Sequence, residues 1–225
     1  RIGNHSCWKG RSGYSVTEYL VIFDVDSTLI EDEVIELLAD VAGKRAEVAA
    51  VTERAMAGEL DFAESLIERV KALAGLPESV FKDVFDRVTV TRGAQALIDA
   101  VHAGGGKVGA VSGGFNQVLA PLASQLNLDF ARANELEVID GKLTGKVIGK
   151  IIDRTAKADA LREWSAESGI ALENTVAVGD GANDLEMLAL ANLGVAFNAK
   201  PIVREKADLV IEEHDLSALI AVLGL

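Results

Sequence analysis

The sequence holds a single cysteine, Cys7, among 225 residues. It cannot close an internal disulfide, so the fold must stand without such staples, and a reducing, cytoplasmic setting is expected. The three histidines, His5, His102 and His214, are scattered along the chain. They support neither a histidine metal cluster nor a His-dependent triad. Positive charge is also scarce: 22 Lys and Arg stand against 35 Asp and Glu, a formal net charge of −13. So acidic a chain repels phosphate backbones, and no local basic patch offsets it, so no nucleic-acid partner is expected. Long apolar runs are missing too. Tyr19–Phe23 and Ala218–Leu225 fall well short of the roughly 18 residues a membrane helix needs, so no membrane partner is expected. The segment Arg1–Ser15 contains no signal-peptide core. Because the chain opens on Arg1, it is expected to be a processed, tagged or excised piece that other residues could precede.

What is present is ordinary globular material, 49% hydrophobic and 25% charged. Its length suits one large domain, or one domain carrying an insertion. Residues 1–17 are rich in Gly, Ser, Asn and Arg without periodicity and read as a tail. Tyr19 to Phe23 is a continuous apolar run ending at the acid Asp24, the habit of a central parallel strand buried on both faces. From Glu33 to about residue 89 the pattern turns helical. Val34, Leu37, Leu38 and Val41 share one face. A second helix is expected over Lys44–Ala57. A third is capped by Asp61 and carries Phe62, Leu66, Ile67 and Val70. A fourth is opened by Pro77 and carries Val80, Phe81, Val84 and Phe85. Four helices after a buried strand do not fit strand–helix alternation, so residues 33–89 read as an inserted helical cap. Alternation then resumes, with strands expected at 107–111, 175–179, 194–197 and 208–211 and a hairpin turning at Asp140-Gly141. The expectation is an α/β fold: a doubly wound parallel sheet from residues 18–32 and 90–225, a helical cap, and a hairpin flap near 134–148. Ligands of such sheets sit at the carboxyl ends of the strands.

Polar, glycine-punctuated turns are expected at three strand ends: Asp24-Val-Asp26-Ser-Thr28, Ser112-Gly113-Gly114, and Gly179-Asp180-Gly181-Ala-Asn183-Asp184. If the strands are parallel neighbours, Asp24, Asp26, Asp180 and Asp184 fall into one small volume. Carboxylates so crowded repel unless a cation joins them. An all-oxygen donor set selects Mg²⁺ or a similar hard ion. A lone acid after a strand is usually a turn or cap residue; it is the conjunction of the turns that argues for a site. Asp24 and Asp26 lie two residues apart, so in a strict strand both would face one way. One carboxylate can attack phosphorus while its neighbour moves the proton. Ser112-Gly113-Gly114 offers a hydroxyl and N–H groups just before a helix, a phosphate cradle, although taken alone it is only a turn. Lys157 opens a helix from which it can reach an anion, although a single lysine is more often a solvated one.

In that order, these motifs resemble the four signature motifs of the haloacid dehalogenase-like phosphatases. Longer strings narrow the likeness within that superfamily to the phosphoserine phosphatase family. They are Phe23-Asp-Val-Asp-Ser-Thr-Leu29, Ala55-Met-Ala-Gly-Glu-Leu-Asp-Phe62, Ser65-Leu-Ile-Glu-Arg-Val70, Ser112-Gly-Gly-Phe115, Asp140-Gly-Lys-Leu-Thr-Gly145 and Val178-Gly-Asp-Gly-Ala-Asn-Asp184. The resemblance covers roughly residues 19–225. It implies Mg²⁺-dependent hydrolysis of O-phosphoserine, a small-molecule substrate, through an aspartyl-phosphate on Asp24. Asp26 would be the general acid and base. Asp24, Asp180 and the Asp26 carbonyl would hold the metal. Ser112, Gly113, Lys157 and Asn183 would hold the phosphate. Glu33 and Arg69 would hold the amino-acid part. Met56 and Phe62 would line the cap pocket, although apolar residues at helical spacing are more often core. Thr28 and Asp184 would support the site. Hydrolysis of another small phosphate ester, or transfer to an alcohol such as homoserine, uses the same motifs. A receiver-type signalling module also uses a strand-end Asp, a hydroxyl and a Lys, but needs neither Asp26 nor the cap. An oligomer stays open.

Overall fold

Leu20, Val21, Ile22 and Phe23 are fully buried and form β1 (Leu20–Phe23) at the heart of the sheet. Their side chains alternate between two cores. Val21 and Phe23 pack into the larger, Leu20 and Ile22 into the smaller one on the opposite face. Each such residue contributes about 1.5–3 kcal/mol of burial free energy, which is why a run without polar alternation sits at the centre. The computed structural model describes residues 17–56 and 59–225. All but the last residue of the expected tail, Cys7 included, lie outside them.

The other strands are β2 (Lys107–Phe115), β3 (Phe130–Ile139), β4 (Lys142–Ile148), β5 (Thr175–Gly179), β6 (Leu193–Phe197) and β7 (Leu209–Ile211). They form a seven-stranded sheet ordered β4-β3-β2-β1-β5-β6-β7. Every pairing is parallel except β3 with β4. Those two strands are the expected hairpin. Its two-residue turn places Asp140 at φ 52° and Gly141 at φ 71°, the pair of positive values that a tight hairpin requires.

Between β1 and α5 (Ala94–Ala103) lie α1 (Val34–Val41), α2 (Arg45–Met56), α3 (Phe62–Lys71) and α4 (Val80–Phe85). Asp61 caps α3 as its sequence suggests: its carboxylate accepts from Glu64 N at 2.8 Å, and Glu64 Oε2 accepts from Asp61 N at 3.0 Å. Such a cap is worth about 1 kcal/mol. Of the expected faces, Leu37, Phe62 and Phe85 are half-buried, and two apolar positions are exposed. Val41 and Ile67 are exposed, and Ile35, Ala39 and Ser65 take the inner positions instead. The inner faces of these helices merge with the larger core through Leu38, Leu66, Val70 and Val84. The tip of the hairpin is fastened to the chain between α3 and α4, where Glu78 N donates to Gly141 O at 2.8 Å and Gly75 N to Leu143 O at 2.7 Å.

The remaining helices are α6 (Asn116–Leu126), α7 (Arg154–Ser168), α8 (Leu185–Leu190), α9 (Pro201–Arg204) and α10 (Ala218–Leu223). The last was not expected from the sequence: its residues are apolar on every side and offer no helical contrast. Among the described residues, no helix is long and apolar enough to cross a membrane.

Candidate active site

The chain leaves β1 at Phe23, and Asp24 N donates to Val178 O on β5 at 2.8 Å. A single wide turn of π-helical type follows, in which Leu29 N returns to Asp24 O and Ile30 N to Val25 O. Ser27 adopts φ 57° within it. Asp26 is therefore not on a strand. The turn, not strand alternation, brings Asp24 and Asp26 to one cavity. Asp26 is held from two sides. Its Oδ1 accepts from Val34 N, the first residue of α1, at 2.9 Å. Its Oδ2 accepts from the Ser112 hydroxyl at 3.3 Å.

Ser112, Gly113 and Gly114 were expected in a turn, but they lie inside β2. The β2–β3 register explains the difference: Val111 pairs with Arg132, and the next pair is Phe115 with Asn134. The three residues bulge out opposite Ala133 alone, which is how a strand aims groups into a site without ending. Gly114 must lack a side chain, because a Cβ there would stand 2.9 Å from Asp26 Oδ2.

At the end of β5, Asp184 folds back under its own loop and accepts from Asp180 N at 3.2 Å and Gly181 N at 3.0 Å. A Cβ on Gly179 would meet the Asp184 carboxyl at 2.6 Å. Lys157, on the first turn of α7, is fully buried between two acids. Its Nζ donates to Asp24 Oδ1 at 2.6 Å and to Asp184 Oδ1 at 2.7 Å. Carboxylate oxygens of Asp24, Asp180 and Asp184 lie within 4.8 Å of one another, and the one buried ammonium bonds only two of the three.

The electrostatics record that imbalance. Burial, and then Asp184, hold the Asp24 carboxyl well above its ordinary range. Burial and Asp184 push Asp180 up to about 6. Burial and the Glu33 carboxylate push Asp26 up to about 7. Burial alone would depress Lys157, but Asp184 and Asp24 outweigh it and keep the ammonium charged. Surplus negative potential, an all-oxygen donor set and close spacing fit a hard divalent cation.

These groups open into a cavity of about 840 Å³. Asp24, Asp26, Glu33, Phe62, Arg69, Gly113, Asp180 and Asn183 all line it. Ser112 is buried and reaches it through Asp26. Glu33 Oε1 accepts from the Ser27 hydroxyl at 2.7 Å. Arg69 donates through Nε to Ser65 O at 3.2 Å. Burial lowers its pKa, while Glu33, Asp26 and Glu36 act in the opposite sense. Thr28 is fully buried, and Thr91 Oγ1 donates to its carbonyl at 2.7 Å, so it braces the turn. The side chain of Met56 lies outside the described residues.

Two residues that the sequence reading missed belong here. Lys200 lines the cavity, and its N–H donates to Asp180 O at 3.0 Å; its place just past β6 was a usable signal, since ligands gather at strand ends. Asn134, only 1% exposed, bonds Gly113 O and Ile152 N, and nothing in the sequence marks it.

The family model described as haloacid dehalogenase-like hydrolase matches residues 21–189. The chain belongs to that family. This haloacid dehalogenase-like hydrolase is 52% identical to a phosphoserine phosphatase of Streptococcus thermophilus, over 91% of the chain and 95% of the relative. It is also 52% identical to phosphoserine phosphatase SerB2 of Mycobacterium tuberculosis, over 92% of the chain but only 51% of the relative. The chain thus spans about half of the latter. Among solved structures it superposes, at a TM-score of 0.85 and 44% identity, on a phospho-aspartyl intermediate analogue of phosphoserine phosphatase, covering 92% of this chain and 99% of that one. A substrate-bound phosphoserine phosphatase complex matches at TM-score 0.85 and 43% identity, covering 92% and 98%.

Proposed function

We propose that this haloacid dehalogenase-like hydrolase is a Mg²⁺-dependent phosphomonoesterase that converts O-phosphoserine to serine and phosphate. One observation carries the reading. Asp24 and Asp26 open into a cavity that is also lined by a guanidinium from α3, Arg69, and by the Glu33 carboxylate beside Asp26. Phosphoserine carries the matching three groups: a phosphate, a carboxylate and an ammonium. The relatives support the same reading, since they are phosphoserine phosphatases.

Residues 33–89 act as a cap over a core of residues 18–32 and 90–225. Oδ1 of Asp24 carries the bonds from Val25 N and Lys157 Nζ, so Oδ2 attacks phosphorus. The bond from phosphorus to the serine oxygen breaks, and Asp26 gives its proton to that oxygen. An elevated Asp26 pKa suits a proton donor near neutral pH. Asp26 then takes a proton from water, whose oxygen attacks phosphorus and frees the Asp24 carboxylate. Ser112, Gly113, Lys157 and Asn183 orient the phosphate, and Phe62 lines the apolar wall. Asp24, Asp180 and the Asp26 carbonyl would hold Mg²⁺, with Asp184 behind them. When bound, the ion would draw charge off the phosphate and relieve the carboxylate crowding. Cytoplasmic residence, without nucleic-acid or membrane partners, belongs to the same proposal.

Phosphate release from a panel of phosphate esters with added Mg²⁺ tests the substrate, and phosphoserine should lead. Mass spectrometry of acid-quenched enzyme should find phosphate on Asp24. Phosphate on Ser27, Thr28 or Ser112 instead would overturn the chemistry.

A further inference from the structure

We infer that Asn134, on β3, is a positioning residue that sets the orientation of the Ser112 hydroxyl; the inference rests on the phosphatase reading of the site. The bulge in β2 takes Gly113 out of the strand ladder, so its carbonyl needs another partner. Asn134 Nδ2 supplies it at 2.8 Å. Its Oδ1 accepts from Ile152 N at 2.8 Å, and this second bond fixes which way the amide faces.

The consequence runs through one peptide plane. In a trans peptide the Gly113 carbonyl and the Gly114 N–H point in opposite directions. Anchoring the carbonyl on Asn134 therefore aims the N–H at Ser112 Oγ, which accepts it at 2.7 Å. With one lone pair of Oγ so occupied, the hydroxyl proton is left free to point at Asp26 Oδ2, 3.3 Å away. Asn134 itself does not line the cavity. It acts on the reacting groups only through the Gly113–Gly114 peptide and Ser112. At its other end it ties the bulge to the chain just before α7, the helix that carries Lys157. One buried amide thus sets the spacing between two arms of the phosphate site.

The test is a double-mutant cycle with Ser112→Ala, read on turnover and on the affinity for inorganic phosphate in Mg²⁺. Asn134→Asp keeps the oxygen that Ile152 needs and removes the donor to Gly113. Asn134→Ser is neutral and too short to span both partners, and it serves if the buried charge of the first variant prevents folding; circular dichroism and Tm establish the fold of each. Expected is a fall in kcat of about 10- to 100-fold, with KM for phosphoserine changed much less because Glu33 and Arg69 are untouched. In the Ser112→Ala background the same substitution should cost less than about twofold, because the relay then has no end. An equal loss in both backgrounds, or no loss in the wild-type background, overturns the inference. A wild-type chain that binds phosphate yet cleaves no ester overturns the proposed function, and the cycle on phosphate affinity then decides the Asn134 relay by the same criterion. A wild-type chain that neither binds phosphate nor cleaves an ester overturns both.

Discussion

Lys157 Nζ lies 2.6 Å from Asp24 Oδ1, with the ammonium fully buried and Asp24 only 4% exposed. The pair is not a surface ion pair of small worth. It is the compensation that allows Asp24 and Asp184 to be buried side by side. Lys157→Met keeps the stem and removes the charge. Two acids are then left without their cation, and breaking such a pair costs about 3–5 kcal/mol. Urea unfolding in the absence of metal should show that loss. Turnover should fall by at least about 100-fold, the usual cost of a missing donor at a charged transition state. A variant as stable and as fast as the wild type would mean that the buried lysine compensates nothing.

Arg69 enters the cavity from α3, away from the strand ends that hold the phosphate-binding groups. Its planar fork matches a carboxylate. Arg69→Ala should therefore cost roughly 2–4 kcal/mol in apparent transition-state binding for phosphoserine. p-Nitrophenyl phosphate has no carboxylate, and its slow hydrolysis should change much less. Steady-state kinetics on both esters decide the matter. Equal losses would make Arg69 a fold or phosphate residue.

Much of this was legible in the sequence, for a physical reason. β1 is apolar on both faces, and residues 107, 175 and 197 begin or end strands where hydrophobic runs meet Gly106, Asn174 and Asn198. Local composition is enough to mark such elements. The bulge at Ser112–Gly114 is different, because it arises from a register mismatch between β2 and β3. A single strand contains no record of its partner's register. Asn134 was illegible for the same reason. In an alternating strand a lone Asn reads as a solvent-facing position, and only the missing carbonyl partner next door makes it an inside residue. Val41 and Ile67 erred the other way, since periodicity marks a face without saying how far the cover extends.

Metal dependence should appear in stability as well as in rate. Burial and mutual repulsion raise Asp24 and push Asp180 up to about 6, so a divalent ion that neutralises them binds the native state preferentially. Stabilisation follows ligand concentration, about 2.7 kcal/mol at one hundred times Kd. Tm should rise with Mg²⁺ in the wild type and much less in Asp180→Ala. EDTA should abolish turnover and Mg²⁺ restore it. Ca²⁺ should raise Tm but support little turnover, because its larger, looser shell misplaces the reacting groups. Full activity after thorough metal stripping would refute the metal site.

Asp129 offers a test of stability far from the chemistry. Its carboxylate accepts from Lys107 Nζ at 2.7 Å, from Val108 N at 2.9 Å and contacts His102 Nε2 at 2.8 Å, joining α5 to the start of β2. Burial works to raise its pKa, but these donors outweigh it and hold the carboxyl below the ordinary range. The sign follows from linkage. A group whose pKa is depressed by folding adds stability that is fully present above its unfolded value, near 3.9, and is lost as pH falls through the folded value. Asp129→Asn keeps the shape and removes the charge. At pH 7 its Tm should lie a few degrees below the wild type, the shift expected for about 1–2 kcal/mol in a chain of this length. Below about pH 4 the unfolded chain takes up the proton first and the folded carboxyl follows only at its lower value, so the gap between the two should narrow as pH falls. Thermal unfolding of both proteins from pH 3 to pH 8 measures it. A gap that stays constant across that range would show that the Asp129 charge contributes nothing and that only its hydrogen-bonding shape matters.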